Sequence, residues 1–281
     1  MHILICRRKS PILDLNRLEN KLCSIIKAKK YLTYDSLFYI NLQNDINIKN
    51  SFMKNIFLIF LITTSSILSF GQRVNKITLS GNGATTTFSF LLDENVIFNI
   101  AQDGAIGEWG IDKYADRPAD YIQHKLEAFA GRVEYYTNYD NEAFRGKIKY
   151  IGRTLFTYYA SYDEKYLVGK LKSVGPINLS YYSKYDDVSS DGKLKSIGQM
   201  ALTYYSSFDN DAYKGKIKTT GNVAFTYYPS LEDKAYAGKI KSINGISYTY
   251  YSSMDQQYLR GALKSGNLIQ VINGINYFIR N

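Results

Sequence analysis

The chain has 281 residues, of which 35 are Lys or Arg, 25 are Asp or Glu and 27 are Tyr, for a formal charge of +10. Residues 1–52 carry +5 of that charge and Lys54 one more, which leaves +4 for everything after them, too little to support a nucleic-acid surface. Both cysteines, Cys6 and Cys23, fall in the same leading stretch, so the remainder has no disulfide, thiol nucleophile or cysteine metal site.

Residues 1–52 are crowded with Ile, Leu, Asn and Lys and read as sequence upstream of the true start or as an extension outside the folded part. From Met53 the run MKNIFLIFLITTSSILSFGQ has a short Lys-bearing head, an apolar stretch from Ile56 to about Phe70 and small residues before Gln72. That is the pattern of a secretory signal peptide over 53–71, with the mature chain beginning near Gln72. Its apolar run of about 15 residues is shorter than the roughly 20 that cross a bilayer, so no transmembrane helix is expected in the mature protein. The ending SFGQ resembles export signals of secreted Bacteroidota proteins, which implies a periplasmic, outer-membrane-surface or extracellular location.

Residues 72–124 open the domain. Over 76–111 apolar and polar residues alternate, and turn signals stand at Gly81 to Gly83 and at Asp103-Gly104, which predicts two hairpins. Pro118 is placed to open a helix with Ile122, Leu126 and Phe129 on one side.

Residues 125–281 are written in repeats. Tyr-Tyr pairs stand at 135/136, 158/159, 181/182, 204/205, 227/228 and 250/251, a constant step of 23, and Gly146, Gly169, Gly192, Gly215, Gly238 and Gly261 keep the same step. With that glycine as position 0, the unit reads GK(I/L)K, a Gly near position 6, an apolar run into YY, and an acidic turn. Positions 8, 10, 12 and 16 are usually apolar or aromatic while 11, 13 and 15 are polar or Tyr, a period of two that predicts a β-hairpin per unit. KLEAFAGRVEYY from Lys125 and INGINYF from Ile272 are altered units suited to capping the ends of the array. The expected fold is all-β: an antiparallel meander whose apolar face has to be covered, by curling or closing into a barrel or ring or by folding over on itself.

These units resemble exported repeat proteins of Bacteroidota built on GKLKSIG and YY segments, and that resemblance implies rings of hairpins but no activity. The hairpin period is also similar to that of MORN repeats, whose glycine and tryptophan pattern the chain lacks.

His124 is the only histidine beyond the leading stretch, and no GxSxG, Walker, HExxH or dinucleotide motif is present, so neither an enzyme nor a cofactor is expected. The acids Asp140, Asp163, Asp186, Asp209, Glu232 and Asp255 recur in equivalent turns, one or two per turn, which suits turn formation better than calcium. The position-1 lysines (Lys147, Lys170, Lys193, Lys216, Lys239) and position-3 lysines (Lys149, Lys172, Lys195, Lys218, Lys241, Lys264) are expected as two ladders on the face away from the position-2 Ile or Leu. The second Tyr of each pair, including Tyr182, Tyr205 and Tyr228, joins them there, whereas the first, such as Tyr204, faces the core. A lysine-tyrosine face of this kind suits either solubility or the binding of an acidic polysaccharide or envelope component. From another class, a carbohydrate-active enzyme would draw its carboxylates from Asp93, Glu94, Asp103 and Glu108.

Overall fold

The computed structural model describes residues 72–112 and 125–280, all within the compact unit Phe70–Asn281. The upstream extension, the signal segment 53–71, Pro118, Ile122 and His124 lie outside the described residues, while Leu126 and Phe129 of the helix expected after Pro118 are described and are not helical, Glu127 between them forming a β-bridge with Ile111. Apart from two 3₁₀ turns, the regular structure among the described residues is strand.

The leading hairpins are β1 (Arg73–Ser80) with β2 (Thr86–Leu91), and β3 (Val96–Ala101) with β4 (Ile106–Ile111). The repeats supply β5 (Val133–Tyr135), β6 (Ile148–Ile151), β7 (Thr154–Tyr158), β8 (Leu171–Val174), β9 (Ile177–Tyr181) and β10 (Leu194–Ile197). They continue through β11 (Met200–Tyr204), β12 (Ile217–Thr220), β13 (Val223–Tyr227), β14 (Ile240–Ile243) and β15 (Ile246–Ser247). These eleven pair in strict chain order as one antiparallel meander. A short pair follows, β16 (Thr249–Tyr250) with β17 (Leu263–Ser265), and then β18 (Ile269–Ile272) and β19 (Ile275–Arg280).

Turn chemistry explains the hairpins. In four units the two central residues are Gly-X, with Gly152, Gly175, Gly198 and Gly221 at φ of 54–57°, the signature of a type II′ turn that only glycine opens without strain. The next unit and the C-terminal hairpin instead use Asn-Gly with both residues at positive φ, Asn244-Gly245 and Asn273-Gly274, as a type I′ turn requires.

The barrel or ring expected from the sequence does not form. The eleven-stranded sheet stays open, with β5 and β15 at its two edges. Its apolar face is covered instead by a six-stranded sheet in the order β18-β19-β1-β2-β3-β4, so the requirement that drives closure is met by a second layer. The altered last unit does not cap the meander; β19 leaves it and pairs in parallel with β1, Lys76 opposite Asn276 through Ser80 opposite Arg280. Ile77, Leu79, Phe88, Phe90, Phe98 and Ile100 from this cover join Phe156, Leu171, Val174, Leu202, Ile217, Phe225 and Ile240 from the repeats in one buried cluster. Phe98 meets Phe156 at 4.6 Å and Phe225 meets Tyr277 at 5.9 Å between ring centroids.

Candidate functional site: the lysine and tyrosine columns

Every repeat carries a β-bulge at the same place. Thr203 lies opposite Thr219 and Tyr204 opposite Ile217, so Lys218 is the extra residue, and Lys149, Lys172, Lys195, Lys241 and Lys264 are skipped in the same way in their units. The bulge lets positions 2 and 5, Ile217 and Thr220 for example, both face the core although they are three residues apart. It also separates the two lysine columns, which strict alternation would put side by side.

The position-1 lysines are committed to the fold. Lys170, Lys193 and Lys216 each donate from Nζ to the carbonyl of the next unit's position-0 glycine at 2.6–2.7 Å, and Lys147 and Lys239 reach Gly169 and Gly261 in the same way. Each ammonium also lies 4.7–5.3 Å from the ring centre of the first Tyr of its unit: Tyr158, Tyr181, Tyr204, Tyr227 or Tyr250. Lys170 donates further to the Asp103 carbonyl at 3.3 Å and Lys216 to that of Asn82 at 2.6 Å, tying the repeats to turns of the covering sheet. Burial lowers the pKa of all five, that of Lys216 to about 8.

The position-3 lysines face outward. Lys172, Lys195, Lys218, Lys241 and Lys264 are exposed and Lys149 half-buried. Each ammonium stands 5.1–5.5 Å from the ring centre of the second Tyr of the preceding unit: Tyr136, Tyr159, Tyr182, Tyr205, Tyr228 and Tyr251 in order. Among the described residues only Lys195 of this column forms an ion pair, with Asp186 at 3.7 Å.

Beyond the first pair, where Tyr135 on the edge strand is exposed, the tyrosines divide as expected. The first of each pair from Tyr158 onward is buried, and the second is half-buried. The first donates its hydroxyl to the position-2 carbonyl ten residues earlier at 2.7–3.0 Å in Tyr158, Tyr181, Tyr227 and Tyr250. The second reaches a carbonyl twenty residues ahead at 2.8–3.0 Å in Tyr136, Tyr159, Tyr182, Tyr205 and Tyr228. Each of these also meets the first Tyr of the next unit edge-on at 5.8–6.2 Å. Burial raises the pKa of both sets. Beside these columns runs a ladder of paired hydroxyls, Thr157 with Ser173, Ser180 with Ser196, Thr203 with Thr219 and Thr226 with Ser242, at 2.6–2.7 Å.

The recurring acids serve the turns. Asp140, Asp163, Asp186, Asp209 and Asp255 each accept from the backbone N–H three residues earlier at 2.6–2.8 Å. The N–H and O–H groups of Thr137, Ser183 and Ser252 hold Asp140, Asp186 and Asp255 below the ordinary carboxylate pKa. No cluster of three metal-ligating side chains occurs among the described residues.

Position 16 is apolar or aromatic, yet it lies in the acidic turn and not in the strand. Its side chains do not join the core with positions 8, 10 and 12; they stand at the turn tips, exposed. The strand ends at position 12, so the period of two no longer applies there. Position 18 was not singled out from sequence, yet it locks successive turns together. Asp187 accepts from Ser207 and Asp233 from Ser253 twenty residues on, through both N–H and Oγ–H at 2.7–3.1 Å. The serine recurring at position 15 is the trace of this staple in the sequence.

Of the four acids weighed for catalysis, Asp93 accepts from Gln72 Nε2 at 3.2 Å, Glu108 from Leu126 N at 3.2 Å and Asp103 from Ala105 N at 3.0 Å. Glu94 sits at positive φ in a 3₁₀ turn, its carboxylate beside Gly152. Asp103 alone of the four lines a crevice of about 380 Å³ against Lys147, Tyr158, Lys170 and Leu171. Comparison with protein-family models, curated proteins and solved structures returns no match.

Proposed function

We propose that this chain is a non-enzymatic structural and binding protein, exported to the bacterial cell envelope, that holds an extended polysaccharide carrying acidic groups against its repeat face. The observation that carries the binding half is the bulged lysine column, in which six ammonium groups each stand over a tyrosine ring and repeat in register. Successive pairs lie two strands apart, about 10 Å, a spacing comparable with the repeat of an extended disaccharide. Export rests on the segment from Met53. Lys172, Lys195, Lys218 and Lys241 with Tyr182, Tyr205 and Tyr228 form the recognition surface. Lys170, Lys193, Lys216 and Lys239 hold the repeats together behind it. The turn acids beside the column offset part of its field, so affinity draws on ring faces and hydroxyls as well as charge.

The test is retention of the full chain on an immobilised polyuronate at low and high salt. Replacing Lys195, Lys218 and Lys241 by alanine is expected to reduce affinity about tenfold at low salt, three exposed charge contacts of roughly 0.5 kcal/mol each, without lowering the melting temperature. The matching set Lys193→Ala, Lys216→Ala and Lys239→Ala lowers the melting temperature instead. Equal retention of wild type and the bulge-lysine variant would refute the binding role, and cleavage of the polymer would replace it with the enzymatic alternative.

A further inference from the structure

The turn tips form a second periodic surface on a different set of residues. Tyr139, Tyr162, Tyr185, Phe208, Leu231 and Met254 occupy position 16 of successive repeats, and each is 85–101 % exposed. Single exposed apolar side chains are ordinary; six at one repeat position are a surface. In five of the six turns the residue at position 17 caps the backbone three residues back. Position 18 bridges to position 15 of the next turn in Asn141, Asp187, Asn210 and Asp233, at 2.7–3.1 Å. The tips are therefore held in place before any partner arrives, which lowers the ordering cost of association.

We propose that this row is a self-association surface and that its occupant is the same row of a second copy of the chain. Knobs spaced by about two strand widths, roughly 10 Å, leave equal gaps, and a surface with that period at that spacing is at hand in the identical chain, shifted by half a repeat. A twofold axis brings the two rows together as an isologous interface that closes on itself. Six side chains of this size expose on the order of 1,000 Å², against roughly 800 Å² per partner in a stable interface.

Charge and composition favour this occupant over others. The six acids at position 17 are matched by six lysines at position 3, so two rows meeting concentrate no net charge. A sugar chain gains ring faces from four tips, but Leu231 and Met254 offer none. A bilayer would have to accept a carboxylate directly beside every tip, which is costly at an apolar boundary.

The experiment is light scattering on the full chain during size-exclusion chromatography across a concentration series. Wild type is expected at twice the monomer mass at about micromolar concentrations, and Phe208→Ser with Leu231→Ser and Met254→Ser at the monomer mass, a weakening of roughly a hundredfold or more. Leu231→Lys alone is expected to weaken the dimer about tenfold. Since these side chains touch solvent only, far-UV spectra and melting of the dissociated variants report whether the fold is intact. A wild type that stays monomeric, a triple variant as dimeric as wild type, or an assembly larger than two copies would each overturn the proposal.

Discussion

Tyr204 breaks the pattern of its column, and the break has a measurable cost. Its ring is 9 % exposed and packed like its equivalents, under Lys193 at 5.0 Å and edge-on to Tyr182 at 6.0 Å. Its hydroxyl is buried without a hydrogen-bond partner, whereas that of Tyr227 donates to the Ile217 carbonyl at 2.9 Å. The difference falls where the covering sheet comes close, with Leu194 N donating to the Gln102 carbonyl at 2.8 Å. Removing one oxygen from each ring should then act in opposite directions. Tyr227→Phe forfeits a hydrogen bond worth about 1 kcal/mol and strands a buried carbonyl, whereas Tyr204→Phe relieves a desolvation penalty of about 1 kcal/mol or more. The two variants should differ by roughly 2 kcal/mol, or about 4–8 °C in melting temperature for a domain near 200 residues. Thermal melts at neutral pH, with urea midpoints as a check, measure this directly. If Tyr204→Phe loses as much stability as Tyr227→Phe, the account of the buried hydroxyl is wrong.

Two further outcomes follow from the same columns. The buried tyrosines have pKa values raised above the ordinary 10.0, so their contribution is complete below about pH 10 and is lost as pH rises further, while Lys216, lowered from 10.5 to about 8, makes the fold more stable as pH rises between those values. The melting temperature is expected to climb gently from pH 8 and then fall steeply above pH 10; Lys216→Met should reduce the climb and leave the fall, and a fall that begins near neutral pH would contradict the assignment. Gly146 and Gly238 share a positive φ of 73° and 76°, but a Cβ on Gly146 meets nothing within 4 Å, while one on Gly238 lies 2.7 Å from the Ala212 carbonyl and 3.0 Å from Lys216 Nζ. In urea titrations Gly146→Ala should cost about 1 kcal/mol and Gly238→Ala distinctly more; equal losses would show that the lysine-to-glycine seam has slack.

The constant 23-residue step and the alternation around each Tyr pair are enough to predict the meander, its hairpin turns and the burial of the first Tyr of each pair from Tyr158 onward; Tyr135, on the edge strand β5, is 52 % exposed. Three things are not legible locally. The bulge at position 3 has no residue signature of its own, since Lys serves equally in a regular strand, and without it alternation puts Lys193 and Lys195 on one face. Phe208 and its equivalents share the apolar character of the strand positions, but the strand ends at position 12, so their place at an exposed tip follows from the turn and not from the alternation. The open sheet depends on how much apolar surface residues 73–111 and 269–280 bring, a property of the cover and not of the repeat. Of the candidate site, residue identities and spacing were legible, but which lysine column is held inside and which is free depends on long-range pairing.

The parallel pairing of β19 with β1 makes the array a bounded object. An ordinary solenoid has two free ends and can gain or lose units there by duplication. Here the last segment must return to the first strand, and Lys170, Leu194, Lys216 and Thr220 each bond to a fixed point on the cover. An added unit would carry β18 and β19 away from β1 and leave its own apolar face bare. The cover therefore acts as a gauge that counts the repeats, and copy number in this chain is part of the fold and not a freely adjustable length.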